Sequence, residues 1–292
     1  MGSIESETTW PQGWEVESDL DRIRRNDKSQ KSVEIFDWGD AIEILDGLKN
    51  NTVVKEVSMH IFSDTDDLLQ VNQEVFVKLS ELTKCNKSVE SLNIYLDNGL
   101  LDERNQVFAA MGTSGGWSSI QELVLVICNG DGIEPHIEPL SLREAKHLSN
   151  FIIQSNNLRA LSLEITGHET GPIFETLSRT TVQSLKVIVR STFSLQNGGR
   201  QLATALERCT CITELRLKFS SYNDQAEVEF FEILLVESIP KMLGLKKLEL
   251  EMLNQQFFDM VGQCVGGHQG EIEEVRLIWY SSPFFSTSSV TS

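Results

Sequence analysis

Eight times the chain repeats one spacing of apolar residues, clearest in Leu158-x-x-Leu161-x-Leu163-x-Ile165. With the second of these as anchor, the anchors are Val57, Leu92, Leu123, Leu161, Leu185, Leu215, Leu248 and Val275. The positions two residues on are Met59, Ile94, Leu125, Leu163, Val187, Leu217, Leu250 and Leu277. The positions four residues on, and three residues before, are apolar in every copy as well. Only 40% of the chain is hydrophobic, so four unbroken columns are not an effect of composition. Residues between the teeth are mostly polar. Alternation with a period of two predicts a strand buried on one face. Its recurrence predicts a repeat array.

Between the strands the apolar period lengthens to about 3.6. Ala41, Ile42, Leu45 and Leu48 share one face of a predicted helix, as do Val75, Leu79 and Leu82. Leu142, Ala145, Leu148, Phe151 and Ile152 share another, and stretches 195–209, 224–242 and 254–265 read the same way. Short links such as Asn50-Asn51-Thr52 and Asn156-Asn157 hand helix back to strand. A weaker unit, Val33-x-Ile35, has Asp37 in place of its last tooth, as a terminal repeat does. The predicted organisation is a cap segment over 1–30, carrying Trp10 and Trp14, then an array of about nine repeats over 31–280. A serine-rich, disordered tail over 281–292 follows.

The motif L-x-x-L-x-L, set in this strand–helix alternation, resembles the leucine-rich repeat of the ribonuclease-inhibitor type over residues 31–280. The resemblance implies an α/β solenoid, a horseshoe with parallel β-strands on its concave face and helices on its convex face. One feature departs from that family, which places Asn or Cys five residues after the anchor. Here stand Phe62, Asp97, Cys128, Thr166, Arg190, Ser220, Leu253 and Tyr280, and only Cys128 fits. The apolar residue four after each anchor is expected to extend the strand instead.

Charge narrows the class of partner. Acids outnumber bases by 43 to 25, for a net charge of −18. Nucleic-acid binding draws on a basic footprint that displaces counterions, so no nucleic acid is expected and a protein is, with a basic one favoured. No stretch approaches the ~20 apolar residues of a membrane span, and the chain opens on no signal-peptide pattern, so no membrane partner is expected. Met1-Gly2-Ser3-Ile4-Glu5-Ser6 matches the N-myristoylation pattern. The acids that follow, Glu5, Glu7, Glu15 and Glu17, oppose anionic lipid.

Five scattered cysteines, Cys85, Cys128, Cys209, Cys211 and Cys264, offer no second pair to complete a metal site around Cys209-x-Cys211. They predict reduced thiols and a cytoplasmic location, with the nucleus as the other choice. The chain carries no P-loop, no GxSxG elbow and no HExxH pair, and its five histidines share no spacing with each other or with a cysteine. No catalytic residues, cofactor or metal are expected. Asn129-Gly130-Asp131-Gly132 has the middle of an EF-hand loop without its first ligands or closing Glu, and reads as a turn.

The remaining candidate is the face that the teeth leave open. Residues one before, one after and three after each anchor are expected to point outward from the strand row. The last of these columns begins Phe36, His60, Tyr95, Val126, with Val124 beside it. Farther along, charge gathers in Lys186, Arg216, Lys218, Glu249 and Arg276. These ten are the expected partner-binding residues, aromatic anchors at one end and charge complementarity at the other. The insertion Asn129–Pro139, in the longest interval between anchors, is a second candidate on the rim. The function that follows is a non-catalytic protein–protein interaction scaffold binding on the concave face. The alternative is a regulator of a small GTPase, since the repeat also resembles the Ran GTPase-activating protein. That family carries an acidic tail after its repeats, whereas Ser281–Ser292 holds no acid.

Overall fold

The computed structural model describes residues 18–36, 38–61, 68–97, 101–113, 118–128, 140–165, 170–190, 199–220, 224–252, 257–279 and 290–291. Strand and helix alternate along it. The first half comprises α1 (Asp19–Arg24), β1 (Ser32–Ile35), α2 (Trp38–Leu48), β2 (Glu56–Ile61), α3 (Leu68–Cys85), β3 (Ser91–Asp97), α4 (Leu101–Thr113), β4 (Glu122–Cys128) and α5 (Leu142–Gln154). The second comprises β5 (Ala160–Ile165), α6 (Gly171–Leu177), β6 (Ser184–Arg190), α7 (Arg200–Arg208), β7 (Glu214–Ser220), α8 (Asp224–Glu232), β8 (Lys247–Met252), α9 (Phe258–Gly266), β9 (Glu274–Trp279) and β10 (Val290–Thr291). One π-helical turn, Ile233–Ser238, and one 3₁₀ turn, Ile239–Lys241, prolong α8.

All ten strands form one sheet in chain order. From β1 to β9 every neighbour is parallel, which requires a crossover between each pair, and the helices supply it. β10 pairs antiparallel with β9. This is an α/β array of the leucine-rich-repeat-like, solenoid kind.

The anchors stand in a single row. Val33 lies opposite Val57, Val57 opposite Leu92, and Leu92, Leu123, Leu161 and Leu185 follow side by side. Leu215, Leu248 and Val275 complete the row. Both inner rows, from Val57 and Met59 through Leu248 and Leu250, are buried against the helices. A slip of one residue would turn every tooth to solvent, so the apolar pattern itself holds the register. The strands do run on past the fourth position: β3, β4, β6 and β7 end five residues after their anchors, and Leu96, Ile127, Val189 and Phe219 are buried.

Two helices have no clear signature in the apolar spacing. The buried stripe of α4 begins on a charge, Arg104, before Val107, Phe108 and Met111. Arg104 is tolerated there because its Nε and Nη2 donate to the Glu144 carboxylate of α5 at 2.6 and 3.2 Å. Glu144 in turn closes a capping box, its Oε2 accepting from the Ser141 backbone N–H at 2.7 Å and hydroxyl at 2.8 Å. α6 has only seven residues and opens on Gly171-Pro172, too short for a periodic face. Near the other end Phe219, Phe230, Phe231 and Phe257 pack with successive centroids 5.3–5.4 Å apart.

The joint between successive turns is the same throughout. The carbonyl of Lys31 accepts from the N–H groups of both Lys55 and Glu56, and that of Lys55 from Glu90 and Ser91. Glu90, Gln121, Arg159, Gln183, Thr213 and Lys246 repeat the arrangement, ending on Glu273 and Glu274. Just upstream, buried asparagines tie the first turns together. The Asn51 side-chain oxygen accepts from Val53 and Val54 N–H at 2.8 and 2.7 Å, while its amide donates to Ile23 O at 2.8 Å. Asn86 does the same for Ser88 and Val89, and donates to Asn51 O at 2.8 Å. These two asparagines stand six residues before their anchors, not the five after where the family resemblance expects them. Four residues before the anchors, Ser88, Thr181 and Cys211 donate to carbonyls of the preceding turn. Gly244 holds this position in a later turn, where a Cβ would stand 2.7 Å from Thr210 O.

α1 covers the first turn. Ile23 is fully buried, and Asn26, at φ 54°, accepts from Thr52 N–H at 2.7 Å. Trp10, Trp14, the insertion Asn129–Pro139 and residues 281–289 lie outside the described residues. No described helix is long and apolar enough to cross a membrane.

Cys85, Cys209, Cys211 and Cys264 are free thiols. Burial pushes the Cys209 thiol up to about 12, with Cys211 adding to the effect, and pushes Cys264 up to about 11. Only the thiolate reacts. A brief N-ethylmaleimide treatment at neutral pH is therefore expected to modify exposed Cys85 well before Cys209 or Cys264, as read by peptide mass spectrometry. Equal rates for Cys209 in native and urea-unfolded chain would contradict this packing.

Candidate functional site

One face of the sheet is covered by helices, and the other is built from the outward positions of successive strands. Its first part is a stack of rings. Phe36 and His60 have centroids 4.3 Å apart with planes inclined 18°, and His60 and Tyr95 are 4.5 Å apart and inclined 6°. The parallel register sets this geometry, placing His60 opposite Tyr95 and Tyr95 opposite Val126. A strand spacing of ~4.8 Å is close to a ring-stacking distance, so the backbone imposes the ladder. Phe36, at the open end, is 58% exposed. Val124 and Val126 are half-buried beyond Tyr95.

Burial among these rings lowers the His60 pKa from its ordinary value of 6.5, and the nearby Glu34 carboxylate opposes the shift. His60 is therefore neutral at pH 7. A histidine with a depressed folded value binds its proton more readily in the unfolded chain. Its contribution is present above the mid-6 range and is lost as pH falls.

Two residues earlier on the same strands lies a polar row. Asn93, buried at mid-strand, donates through Nδ2 to Glu56 Oε1 at 2.7 Å and to Ser58 Oγ at 3.0 Å. This network was not among the expected site residues. The available signal was an amide at the centre of a strand, where Asn is disfavoured unless its hydrogen bonds are met. Beside it, the β4–β5 ladder runs from Glu122–Ala160 to Leu125–Leu163 and stops, although β4 continues to Cys128.

The charged part of the face is organised differently from expectation. Lys218 pairs with Glu251, Arg276 with Glu249 at 3.5 Å, and Lys247 with Glu214 at 3.2 Å, each with its cross-strand neighbour. Lys218, Glu249 and Arg276 therefore neutralise charge within the chain. Pairs such as these, still open to solvent, add about 0–1 kcal/mol each. Lys186 and Arg216 are register partners, and neither forms an ion pair with another described residue. The ten expected residues thus fall into two groups on one face, with Phe36, His60, Tyr95, Val124 and Val126 separated from the charged five by β5. Open clefts of about 430 and 270 Å³ flank α6 on the helical side, lined by Glu175, Arg179, Arg200 and Arg208 among others.

The chain matches no family model and no curated protein. Among solved structures it is similar to leiomodin-1 actin-binding site 2, at 19% identity over 55% of this chain and 86% of that one, with a TM-score of 0.36. It is also similar to TLR13 in its complex with ssRNA13, at 13% identity over 80% of this chain and 42% of that one, with a TM-score of 0.21.

Proposed function

We propose that this protein is a non-catalytic scaffold of the ribonuclease-inhibitor-like leucine-rich-repeat type, which binds another protein on the concave wall formed by its sheet. The observation that carries this reading is the contiguous patch of Phe36, His60, Tyr95, Val124 and Val126 on adjacent strands. A rigid, preformed aromatic patch is a favoured place for the few side chains that dominate binding energy, because little ordering is needed on association. The net charge of −18 favours a protein partner over nucleic acid or an anionic membrane. Scattered, unpaired thiols favour a reducing compartment, the cytoplasm or nucleus.

The test is partner capture from the source cells by the tagged full chain, quantified by mass spectrometry. Tyr95→Ala with Val126→Glu is expected to cost more than ~2 kcal/mol of binding, roughly a thirtyfold loss. The thermal transition of the double variant stays close to that of the parent, since both side chains face outward. Undiminished capture by the folded variant would reject this end of the wall.

A further inference from the structure

The same end of the wall shows an imbalance of charge that the rest of the face does not share. The outward positions of β1 to β4 hold Glu34, Glu56 and Glu122 and no Lys or Arg. Among the described residues no cation pairs with any of the three. From β7 to β9, by contrast, Glu214, Glu249 and Glu251 each have a basic neighbour on the next strand. Glu56 is moreover held in place, since Asn93 occupies its Oε1 and is itself buried. Glu34 lies one strand away, diagonally across the Ser32–Glu56 and Glu34–Ser58 pairs. That diagonal is roughly 8 Å between backbones, a gap that one guanidinium bridges.

We propose that this end of the wall receives an extended, arginine-bearing segment of the partner protein. A guanidinium lies between Glu34 and Glu56, and the segment's apolar side chains rest on Tyr95, Val124 and Val126. Arginine suits the place better than lysine because its flat fork meets two carboxylates at once. The inference rests on the concave-wall reading above and adds the chemistry of the occupant.

The experiment uses two fluorescein-labelled hexapeptides, Arg-Ser-Leu-Ser-Leu-Ser, whose Arg and both Leu fall on one face when extended, and its counterpart with Glu for Arg, titrated with the full chain in anisotropy. Six extended residues span ~20 Å, enough to cross four strands. The arginine peptide is expected to saturate and the glutamate peptide not to. Glu34→Gln with Glu56→Gln weakens the arginine peptide at least ~10-fold, and so does raising salt from about 0.05 to 0.5 M. Glu237→Gln with Glu271→Gln, which removes the same charge from exposed positions away from the wall, changes its affinity by less than about twofold, as distant screened charges do. Circular dichroism confirms that each variant is folded. The proposal is overturned if the arginine peptide does not saturate, if both peptides bind alike, or if neutralising Glu237 and Glu271 weakens it as much as neutralising Glu34 and Glu56. The two readings fail separately. Partner capture abolished by Tyr95→Ala with Val126→Glu, while Glu34→Gln with Glu56→Gln leaves the arginine peptide unaffected, keeps the wall and rejects its basic occupant. Undiminished capture rejects the wall.

Discussion

Replacing Leu161 by Asp is expected to abolish the cooperative thermal transition and leave the chain largely unfolded. Leu161 is buried at the middle of the anchor row, with Leu123 on one side and Leu185 on the other. Losing the leucine alone costs ~2–5 kcal/mol through transfer and cavity effects. Bringing in a carboxyl adds a further ~2–7 kcal/mol even when it is protonated, because no donor lies among these side chains. The sum, ~4–12 kcal/mol, is of the same size as the ~5–15 kcal/mol that holds a typical domain together. In a repeat array the damage also removes the interfaces to both neighbours. Leu161→Met, which conserves volume, is expected to cost less than ~1.5 kcal/mol. Far-UV circular dichroism with thermal and urea melts checks both. A wild-type midpoint for Leu161→Asp would mean that the inner face of the sheet is not the core.

The second large effect lies on the helical side. Arg104→Met removes the cation from a pair whose side chains are 2% and 1% exposed, leaving Glu144 buried with only the Ser141 donors. Breaking a buried pair from one side typically costs ~3–5 kcal/mol, since the survivor keeps its desolvation penalty. Adding Glu144→Gln to the same chain should restore most of the loss, because glutamine keeps the capping box without the charge. Urea denaturation of the parent, the single and the double variant reads this directly. If the double variant is no more stable than the single one, the penalty comes from lost packing around the arginine stem and not from the orphaned carboxylate.

The contrast between these two sites explains how much of the fold was legible in sequence. Leu161 belongs to a column of apolar residues repeated at every turn, and a period of two states both the strand and its buried face. Once the anchors are aligned, register follows, and with it the adjacency of His60, Tyr95 and Val126. Arg104 spoils the same logic in α4, because its burial depends on Glu144, 40 residues away. Asn51 and Asn86 sit in what reads as an ordinary polar link, and no spacing reveals which carbonyls their amides reach. The charged residues of the wall were visible as a group. Their mutual neutralisation, Lys218 with Glu251 and Arg276 with Glu249, emerges only when columns are compared across strands and not read singly. The same comparison exposes the unmatched acids of β1, β2 and β4.

The repeated joint from Lys31 to Glu273 has a bearing on how such a protein changes size. It is made by main-chain groups alone, so it takes no notice of which residues occupy a turn or how long that turn is. Loops and helices are free to lengthen on the far side while the strand row stays aligned. Gain or loss of strands is then quantised: only a complete turn can be added or excised without leaving rows that fail to meet. The open face of the sheet grows or shrinks in increments of one strand, about 4.8 Å at a time.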